Sequence, residues 1–255
     1  MKRAVVSLSG GMDSTCLLVH MLAKGHSEIK AVSFDYGQRH KIELEKAKIN
    51  IAYLQDKGFD VEHHIIDLTS VGVLLNSALT HTKEVPEGHY EAEEMKDTVV
   101  PNRNIILSSI TYGIALSWAI KNKKEVSIAL GVHAGDNAVY PDCRPESIEA
   151  VRHAFAISNW DSELVNYKTP FIETDKEGIL NQCLIDCEFL ELDFDTILKN
   201  TSTTYKPMPD GKSEGKSSSD IERIEAFIKI GRIDPAEYTK PWEEIKAHAE
   251  EVLAG

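Results

Sequence analysis

The sequence predicts an α/β fold built on a doubly wound parallel sheet, with a small C-terminal helical lobe. Short β-branched runs alternate with longer segments of helical period, which is the pattern of βαβ units around a parallel sheet. A polar stretch separates this pattern from two further predicted helices. We therefore divide the chain into an α/β domain over residues 1–192 and a lobe over residues 193–255.

The predicted strands are short apolar runs rich in β-branched residues. The first, RAVVSL, leads directly into a glycine-rich turn, as a buried strand at the start of a βα unit does. The four predicted strands cover residues 3–8, 29–34, 61–67 and 126–132.

The predicted helices carry apolar residues at the three- and four-residue spacing of one helix face. Leu44, Ile51 and Leu54 show this spacing in the second helix. Pro145 opens a later helix at a position that proline favours. The predicted helices cover residues 13–24, 40–57, 104–121, 145–156, 220–230 and 241–253.

Two segments interrupt this rhythm. Residues 69–100 have weak periodicity and contain the acidic run EAEEMKD, which indicates a long excursion able to cover a site. Residues 200–220 are rich in glycine, serine and proline and almost without apolar anchors. That composition favours a loop, or a lobe that becomes ordered on assembly.

Composition narrows the class of partner. With 28 Lys and Arg against 41 Asp and Glu, the formal net charge of -13 argues against nucleic-acid or membrane-surface binding and favours a small molecule. No apolar run has the roughly 18 residues of a membrane span or the form of a secretory signal. Because the four cysteines lack the spacing of a disulfide framework, we expect a cytoplasmic protein with Cys183 and Cys187 in its core.

The stretch SGGMDS at residues 9–14 lies between the first strand, which ends at Leu8, and the first helix. Such a turn presents backbone N–H groups and a positive helix end at the carboxyl edge of the sheet, where open α/β sheets bind ligands. Glycine permits close approach of a phosphate, serine hydroxyls can donate to its oxygens, and Asp13 can hold Mg²⁺ beside it. The stretch equally suits a plain strand-to-helix turn capped by serine and aspartate.

The string S-G-G-x-D-S resembles the PP-loop signature of the ATP pyrophosphatases, a Rossmann-like family that splits ATP to AMP and pyrophosphate. It matches neither the Walker A pattern nor the dinucleotide pattern G-x-G-x-x-G. The resemblance implies adenylation chemistry on a nucleotide-binding α/β domain. It also implies ATP-binding roles for Leu8, Ser9, Gly10, Gly11, Asp13 and Ser14.

Four further motifs extend the resemblance: FDYGQRH at 34–40, VPNRN at 100–104, GVHAGD at 131–136 and YPDCRPE at 140–146. Together they resemble the 7-cyano-7-deazaguanine synthases of the queuosine pathway over roughly residues 1–240. That family uses ATP and ammonia to turn the carboxylate of 7-carboxy-7-deazaguanine into a nitrile. The resemblance implies ATP and Mg²⁺ as cofactors, small-molecule substrates with no nucleic-acid or membrane partner, and a homodimer formed through the apolar helix at 104–120 or the C-terminal helices.

The resemblance also implies roles for individual side chains, since cations stabilise the charge that develops on an adenylating phosphate. The implied catalytic residues are Lys176, Arg103 and Asp13, and the implied substrate-binding residues are Tyr36, Gln38, Arg39, Arg103, Asp142 and Arg144. Arg103 suits the phosphate or the substrate acid, and Asp142 suits the amino group of the base. Each charged residue also suits a structural ion pair, and His40 and His133 suit a proton shuttle or a structural role.

The resemblance fails at the family's structural zinc, which four cysteines hold in T-x-S-C-Y and C-G-x-C-x-x-C segments. Here the segments are TSTTY and EGKSSSD, and the ligand positions hold Thr204, Glu214, Ser217 and Asp220. Closed zinc sites take thiolate or imidazole ligands, whereas hydroxyls stay protonated near neutral pH. We therefore expect no zinc. Without zinc, three alternatives remain for the lobe. It is held by hydrogen bonds around Asp220 as a helix cap, it is held by a partner subunit, or it is mobile.

The altered lobe leaves the product open. Two adenylations at one centre require the amide to be retained, so the enzyme either stops at 7-amido-7-deazaguanine, a base suited to DNA modification, or continues to 7-cyano-7-deazaguanine. Two other functions stay open: a PP-loop enzyme for another acceptor, which would thiolate a tRNA or amidate another purine, and a nucleotide-binding regulatory module without turnover. The lack of a convincing C-x-x-C pair and the acidic charge argue against thiolation.

Overall fold

The computed structural model of the chain describes residues 1–38, 41–75, 77, 99–138, 140–204 and 207–254, with the main chain alone at 137 and 138. In this part of the chain five parallel strands form one sheet in the order β3-β2-β1-β4-β5. The strands are β1 Lys2–Ser7, β2 His26–Asp35, β3 Val61–Asp67, β4 Val126–Ala129 and β5 Val165–Lys168.

Helices connect the strands, as parallel pairing requires. The described helices are α1 Met12–Ala23, α2 Ile42–Asp56, α3 Thr69–Gly72, α4 Arg103–Asn122, α5 Pro145–Ser158, α6 Lys176–Phe189, α7 Phe194–Lys199, α8 Ser218–Lys229 and α9 Trp242–Ala254. None of them combines the length and apolar character needed to span a bilayer.

Helices cover both faces of the sheet, which confirms the predicted doubly wound α/β fold. The central strand β1 alternates between two cores because successive side chains of a strand point to opposite faces. Ala4 and Val6 pack in one core with α1, α2, α6 and α7, whereas Val5 packs in the other with α4. The sequence therefore places α1 and α4 on opposite sides of the strand that leads into the glycine turn.

Three parts of the sheet differ from the prediction. The strand β2 begins at His26 rather than at residue 29. The strand β5 was not expected, because its four residues are only partly buried and lack a continuous apolar run. The strand β4 ends at Ala129 rather than at residue 132. A Cβ on Gly131 would lie 3.3 Å from the Cα of Ser14, so the chain leaves the strand where it passes close to the start of α1. The short helix α7 also lay outside the predicted elements.

The lobe shares the main core. Phe227 of α8 is fully buried in the core that α1 and α6 form, and a smaller cluster joins α8 to α9 through Ile224 and Ile245. The division at residue 192 stays a prediction. Cys183 and Cys187 are buried in the main core, which confirms them as core residues. Most of the predicted excursion at 69–100, including its acidic run, lies outside the described residues.

Candidate active site

A cleft of about 280 Å³ lies at the carboxyl ends of β1 and β4. The helices after β1 and before β4 pack on opposite faces of the sheet, so this is the switch point at which open α/β sheets bind ligands. Residues from the amino ends of four helices, α1, α4, α6 and α8, line the cleft. Helix amino ends carry partial positive charge and free N–H groups, so the cleft favours an anion.

Ser9 and Gly11 of the glycine turn at residues 9–11 line the cleft, whereas Gly10 between them does not. Gly10 has a φ of +94°, and a Cβ there would lie 2.0 Å from the backbone oxygen of Glu43. The N–H of Ser202 donates to the carbonyl of Gly10 at 3.1 Å. Any residue other than glycine at position 10 would therefore displace α2 or the turn itself.

The two serines of the motif hydrogen-bond to each other across the turn. Their hydroxyl oxygens are 2.9 Å apart, the N–H of Gly11 donates to Ser9 Oγ at 3.1 Å, and the N–H of Ser9 donates to Ser14 Oγ at 3.1 Å. The chain just before them is held by Ser33, whose hydroxyl donates to the carbonyl of Leu8 at 2.6 Å. These bonds shape the turn, and donation from the serines to a phosphate stays a prediction.

Lys176 lies at the first position of α6 and points into the cleft, with a side chain that is only 6% exposed. Its Nζ donates to Glu222 Oε2 at 2.5 Å and lies 3.7 Å from Asp13 Oδ2. Burial alone would lower the pKa of Lys176, but the charges of Asp13, Glu222 and Asp136 outweigh it and raise that pKa above its ordinary value. The lysine is therefore a permanent cation in the cleft.

His133 and Asp136 complete this group, which we call the lysine cluster: Asp13, His133, Asp136, Lys176 and Glu222. The N–H of Gly135 donates to His133 Nδ1 at 3.1 Å, so Nε2 carries the proton of a neutral ring. That Nε2 lies 3.7 Å from Asp13 Oδ2 and 3.6 Å from Asp136 Oδ2. Burial raises the pKa of Asp136 above its usual range.

The lysine cluster is incompletely satisfied. Asp13 Oδ1 is buried and has no hydrogen-bond partner among the described residues. Its other oxygen lies 3.7 Å from both His133 Nε2 and Lys176 Nζ, beyond hydrogen-bond distance. A buried acceptor without a donor points to a missing ligand, either a cation or a group that carries hydrogen.

The opposite wall of the cleft combines aromatic rings with a guanidinium. Arg103, the first residue of α4, lies 5.8 Å from the centre of the Tyr140 ring and donates through Nε to Asn104 Oδ1 at 3.1 Å. Burial raises the pKa of Tyr36, which is hydrogen-bonded to Arg103. Burial also raises the pKa of Glu43 to about 8, although the charge of Arg103 opposes the shift.

Gln38 lines the cleft but uses its amide on the local backbone. Its Nε2 donates to the carbonyl of Phe34 at 3.0 Å, and its Oε1 accepts from the N–H of Tyr36 at 2.9 Å. Gln38 thereby fixes the turn that carries Tyr36. Arg39 and His40, the remaining predicted residues of this motif, lie outside the described residues.

Asp142 caps α4. Its carboxylate accepts from the N–H of Asn104 at 3.2 Å and from Asn104 Nδ2 at 3.1 Å. Tyr140 and Cys143 line the cleft, whereas Asp142 and Arg144 are not among its described lining residues. Burial raises the pKa of Cys143, which therefore stays a neutral thiol. The predicted contact of Asp142 with a base stays a prediction.

The resemblance places the four zinc ligands at Thr204, Glu214, Ser217 and Asp220, and two of these residues form a hydrogen-bonded helix cap here. Ser217 and Asp220 make a reciprocal capping box at the start of α8, with the Ser217 hydroxyl donating to Asp220 Oδ2 at 2.5 Å. Thr204 is buried nearby, whereas the side chain of Glu214 is 43% exposed. Hydrogen bonding around Asp220 as a helix cap is thus confirmed.

These residues do not fit a structural zinc. Two of the four side chains are hydroxyls, and the Ser217 hydroxyl is already engaged with Asp220. Across the described ranges, no group of three or more His, Cys, Asp or Glu side chains is arranged to hold a metal ion. The predicted absence of zinc stays a prediction for metal analysis.

Three members of the site escaped the sequence analysis. Glu43 occurs in the first turn of α2, where a glutamate is ordinarily solvent-exposed. Glu222 occurs in a predicted helix of the lobe, where a glutamate is ordinarily solvent-exposed, and nothing in the sequence connects it with Lys176. Asn104 appears in the VPNRN motif, but its bonds to Asp142 depend on a turn that brings residues 140–143 back to α4.

Residues 3–231 match the family described as Queuosine biosynthesis protein QueC. The chain is 40% identical over 238 residues to the 7-cyano-7-deazaguanine synthase of Marinomonas sp. (strain MWYL1), covering 93% of this chain and 98% of the relative. It is 42% identical over 237 residues to the enzyme of the same name from Hahella chejuensis (strain KCTC 2396), covering 92% of this chain and 93% of the relative.

Among solved structures, the chain is similar to the U34-tRNA thiolase NcsA from Methanococcus maripaludis with its [4Fe-4S] cluster, at a TM-score of 0.41 and 14% identity, covering 99% of this chain and 72% of that one. So weak a likeness supports no statement about this chain. The family match and the curated relatives confirm the resemblance that the motifs suggested. The chain belongs to the QueC family of queuosine biosynthesis proteins and is a ligase-type enzyme of that family.

Proposed function

We propose that the protein catalyses the AMP-forming amidation of 7-carboxy-7-deazaguanine with ammonia, through an adenylated carboxylate. The observation that carries the proposal is the juxtaposition of the glycine turn and the buried Lys176 at the switch point of the sheet. The printed names of the curated relatives support a deazaguanine as substrate.

In the first step a carboxylate oxygen of the substrate attacks the α-phosphorus of ATP, a new P–O bond forms, and the bond to pyrophosphate breaks. The N–H groups in the first turn of α1 hold the phosphates, because those of Ser9 and Gly11 already donate to the serine hydroxyls of the turn. Lys176 and Arg103, on opposite walls, stabilise the charge that grows on the phosphoryl oxygens. Tyr36 and Tyr140 offer ring faces to the planar base.

Asp13 is the residue that would hold a Mg²⁺ accompanying the triphosphate. Its buried Oδ1 lacks a hydrogen-bond partner among the described residues, and a carboxylate oxygen is the hard ligand that Mg²⁺ prefers. The ion supplies charge neutralisation at the phosphates when it is bound.

In the second step ammonia attacks the activated acyl carbon, the bond to AMP breaks, and the new nitrogen loses a proton. Glu43 lines the same cleft and is the carboxylate that we assign to accept this proton. Because its raised pKa of about 8 leaves only a minor fraction deprotonated at neutral pH, the rate of amidation should rise as the pH approaches 8. The products of the cycle are the amide 7-amido-7-deazaguanine, AMP and pyrophosphate.

The amide is the first product, and the relatives' printed name favours its conversion to the nitrile by a second adenylation. The alternative, release of the amide, is favoured by the altered lobe, since Ser202, Thr203, Ser218 and Ser219 of that region line the cleft. Incubation with 7-carboxy-7-deazaguanine, ATP, Mg²⁺ and ammonium, followed by mass spectrometry, distinguishes the two. If purified amide is supplied with ATP, the nitrile forms only if the enzyme carries out the second adenylation.

Pyrophosphate release that requires the deazaguanine acid is the result expected of the proposal. Cleavage of ATP to ADP and orthophosphate would contradict it. Binding of ATP without release would support the regulatory module, and release only with another purine or a tRNA would support another acceptor. The proposed assembly is a homodimer, which light scattering in solution tests.

A further inference from the structure

Glu222 belongs to the lobe but reaches the cleft. Its Oε2 accepts from Lys176 Nζ at 2.5 Å, and its side chain is 15% exposed. A Cβ on Gly135 would lie 2.5 Å from Glu222 Oε1, so the glycine there leaves room for the carboxylate. Glu222 thus fits between the loop after β4 and the first turn of α6.

The helix that carries Glu222 is firmly anchored on both sides of it. Before it, the capping box of Ser217 and Asp220 fixes the first turn of α8. Directly after it, Arg223 is 2% exposed and pairs with Asp234, and Phe227 is buried in the main core. The position of the Glu222 backbone is therefore set by contacts that do not involve the cleft.

This anchoring determines where the lysine points. Lys176 has three N–H donors, and two carboxylates lie within its reach: Glu222 at 2.5 Å and Asp13 at 3.7 Å. While one donor is held by Glu222, the ammonium stays clear of Asp13, and a further donor is left for the cleft. Without Glu222 the ammonium would close onto Asp13 Oδ2, the other carboxylate oxygen within reach, and would no longer be directed into the cleft.

We propose that Glu222 is a positioning residue for ATP cleavage, which holds the Lys176 ammonium away from Asp13 and directs it at the α-phosphate. The proposal rests on the proposed function and makes the lobe a working part of the active site. It gives the capping box at the altered zinc positions a second purpose, because that box fixes the helix that presents Glu222.

The test compares four variants in pyrophosphate release: Glu222→Ala, Glu222→Gln, Lys176→Gln and the double variant Lys176→Gln with Glu222→Ala. Glu222→Ala should lower kcat roughly 10- to 100-fold with little change in KM for ATP, since misplacing a catalytic group by about 1 Å has effects of that order. Glu222→Gln keeps an acceptor oxygen at the same reach and should recover part of the loss. The double variant should be no slower than Lys176→Gln alone.

Glu225→Ala is the matched control, because Glu225 lies on the same helix and pairs with Lys229 at 2.8 Å on the surface. Its rate should equal that of the wild type. Wild-type kcat in Glu222→Ala, or additive losses in the double variant, would overturn the proposal. If Glu222→Ala does not fold, Glu222→Gln and its combination with Lys176→Gln decide by the same criteria.

A crystal structure of the Glu222 variant that folds gives a readout independent of turnover. Lys176 Nζ is expected within hydrogen-bond distance of Asp13, and an unmoved Nζ would refute the positioning role. A wild-type enzyme that releases no pyrophosphate would contradict the proposed function alone, and this structure would then decide the role of Glu222.

Discussion

Two neighbouring residues of α8, Glu222 and Arg223, lie in regions that differ in how fully their buried charged groups are hydrogen-bonded. Arg223 faces the lobe, where its Nε and Nη2 donate to Asp234 at 2.6 and 2.9 Å and its Nη1 donates to Thr201 at 2.7 Å. Glu222 faces the cleft, where Asp13 keeps one oxygen without a donor among the described residues and its other oxygen lies 3.7 Å from Lys176 Nζ and from His133 Nε2.

The difference separates charges that hold the fold from charges that await a ligand. In the lobe every strong donor of the buried guanidinium has an acceptor, so the ion pair is closed and supports one conformation. In the cleft the same types of group are brought together but left unsaturated, which is tolerable only where a ligand completes them. A change in the lobe should therefore affect stability, and a change in the cleft should affect turnover.

The largest effect is expected for Lys176→Gln, which keeps a neutral donor for Glu222 and removes the charge. Pyrophosphate release should fall roughly a thousandfold, or about 4 kcal/mol of transition-state stabilisation. The rate is measured per folded molecule, with Lys229→Gln on the surface of α8 as the control. A loss below tenfold would show that Lys176 does not stabilise the transition state, and would weaken the contrast between the charges of the cleft and those of the lobe.

The next effect is expected for Asp234→Asn. It leaves Arg223 buried without its counter-charge, and the free energy of unfolding should fall by roughly 3 kcal/mol while the rate per folded molecule stays unchanged. Urea unfolding measures it. The control Asp195→Asn breaks the exposed pair with Arg232, at 2.9 Å, and should change stability by less than about 1 kcal/mol. Equal losses of unfolding free energy in both variants would contradict the structural role of the buried pair between Arg223 and Asp234.

A smaller effect is expected for Glu43→Gln, and it depends on pH. Folding raises the pKa of Glu43 from 4.5 to about 8, so between these values the native state holds a proton that the unfolded chain has released. Wild-type stability therefore falls as pH rises through this window. Glutamine does not titrate, so the free energy of unfolding that is lost between about pH 5 and about pH 8 should be smaller in the variant by roughly 2 kcal/mol. We use this reduced figure because water in the cleft screens part of the pKa shift.

Urea unfolding at the two pH values measures this change. Glu45→Gln is the control on the same helix, because Glu45 is 61% exposed and pairs with Lys48 at the surface. Parallel pH dependences for the wild type and Glu43→Gln would show that Glu43 has an ordinary pKa.

The smallest effect is expected for metal removal. Ser217 and Asp220, two of the four residues at which the resemblance places zinc ligands, are already engaged with each other in the capping box. A strong chelator should therefore leave the melting temperature unchanged, and metal analysis should find no stoichiometric zinc. A chelator-sensitive melting temperature together with bound zinc would overturn the expectation drawn from Thr204, Glu214, Ser217 and Asp220.

Local patterns predicted most of the fold. The strand-turn-helix unit around Gly10 and the long helix α4 have strong periodicity and clear boundaries, and both were predicted within a residue or two. The strand β5 was not, because Val165–Lys168 is an edge strand whose residues are all partly exposed. Its pairing with β4 depends on the sheet and not on its own composition.

Local motifs likewise predicted one half of the cleft. The turn at 9–14, Arg103 and Lys176 belong to recognisable strings, and the structure brings all three to one cleft. Glu222 could not be predicted, since its contact with Lys176 depends on how α8 packs on α6. The structural roles of Gln38 and Asp142 could not be predicted either. Each side chain bonds to a backbone group, and the motifs do not specify the path of that backbone.

The contact between Lys176 and Glu222 has a consequence for protein synthesis. The ribosome releases the glycine turn first, the lysine much later and α8 later still, so a nascent chain that lacks α8 holds Lys176 without its carboxylate partner. Under the proposed function, cleavage of ATP would therefore reach its full rate only in copies whose translation has passed α8.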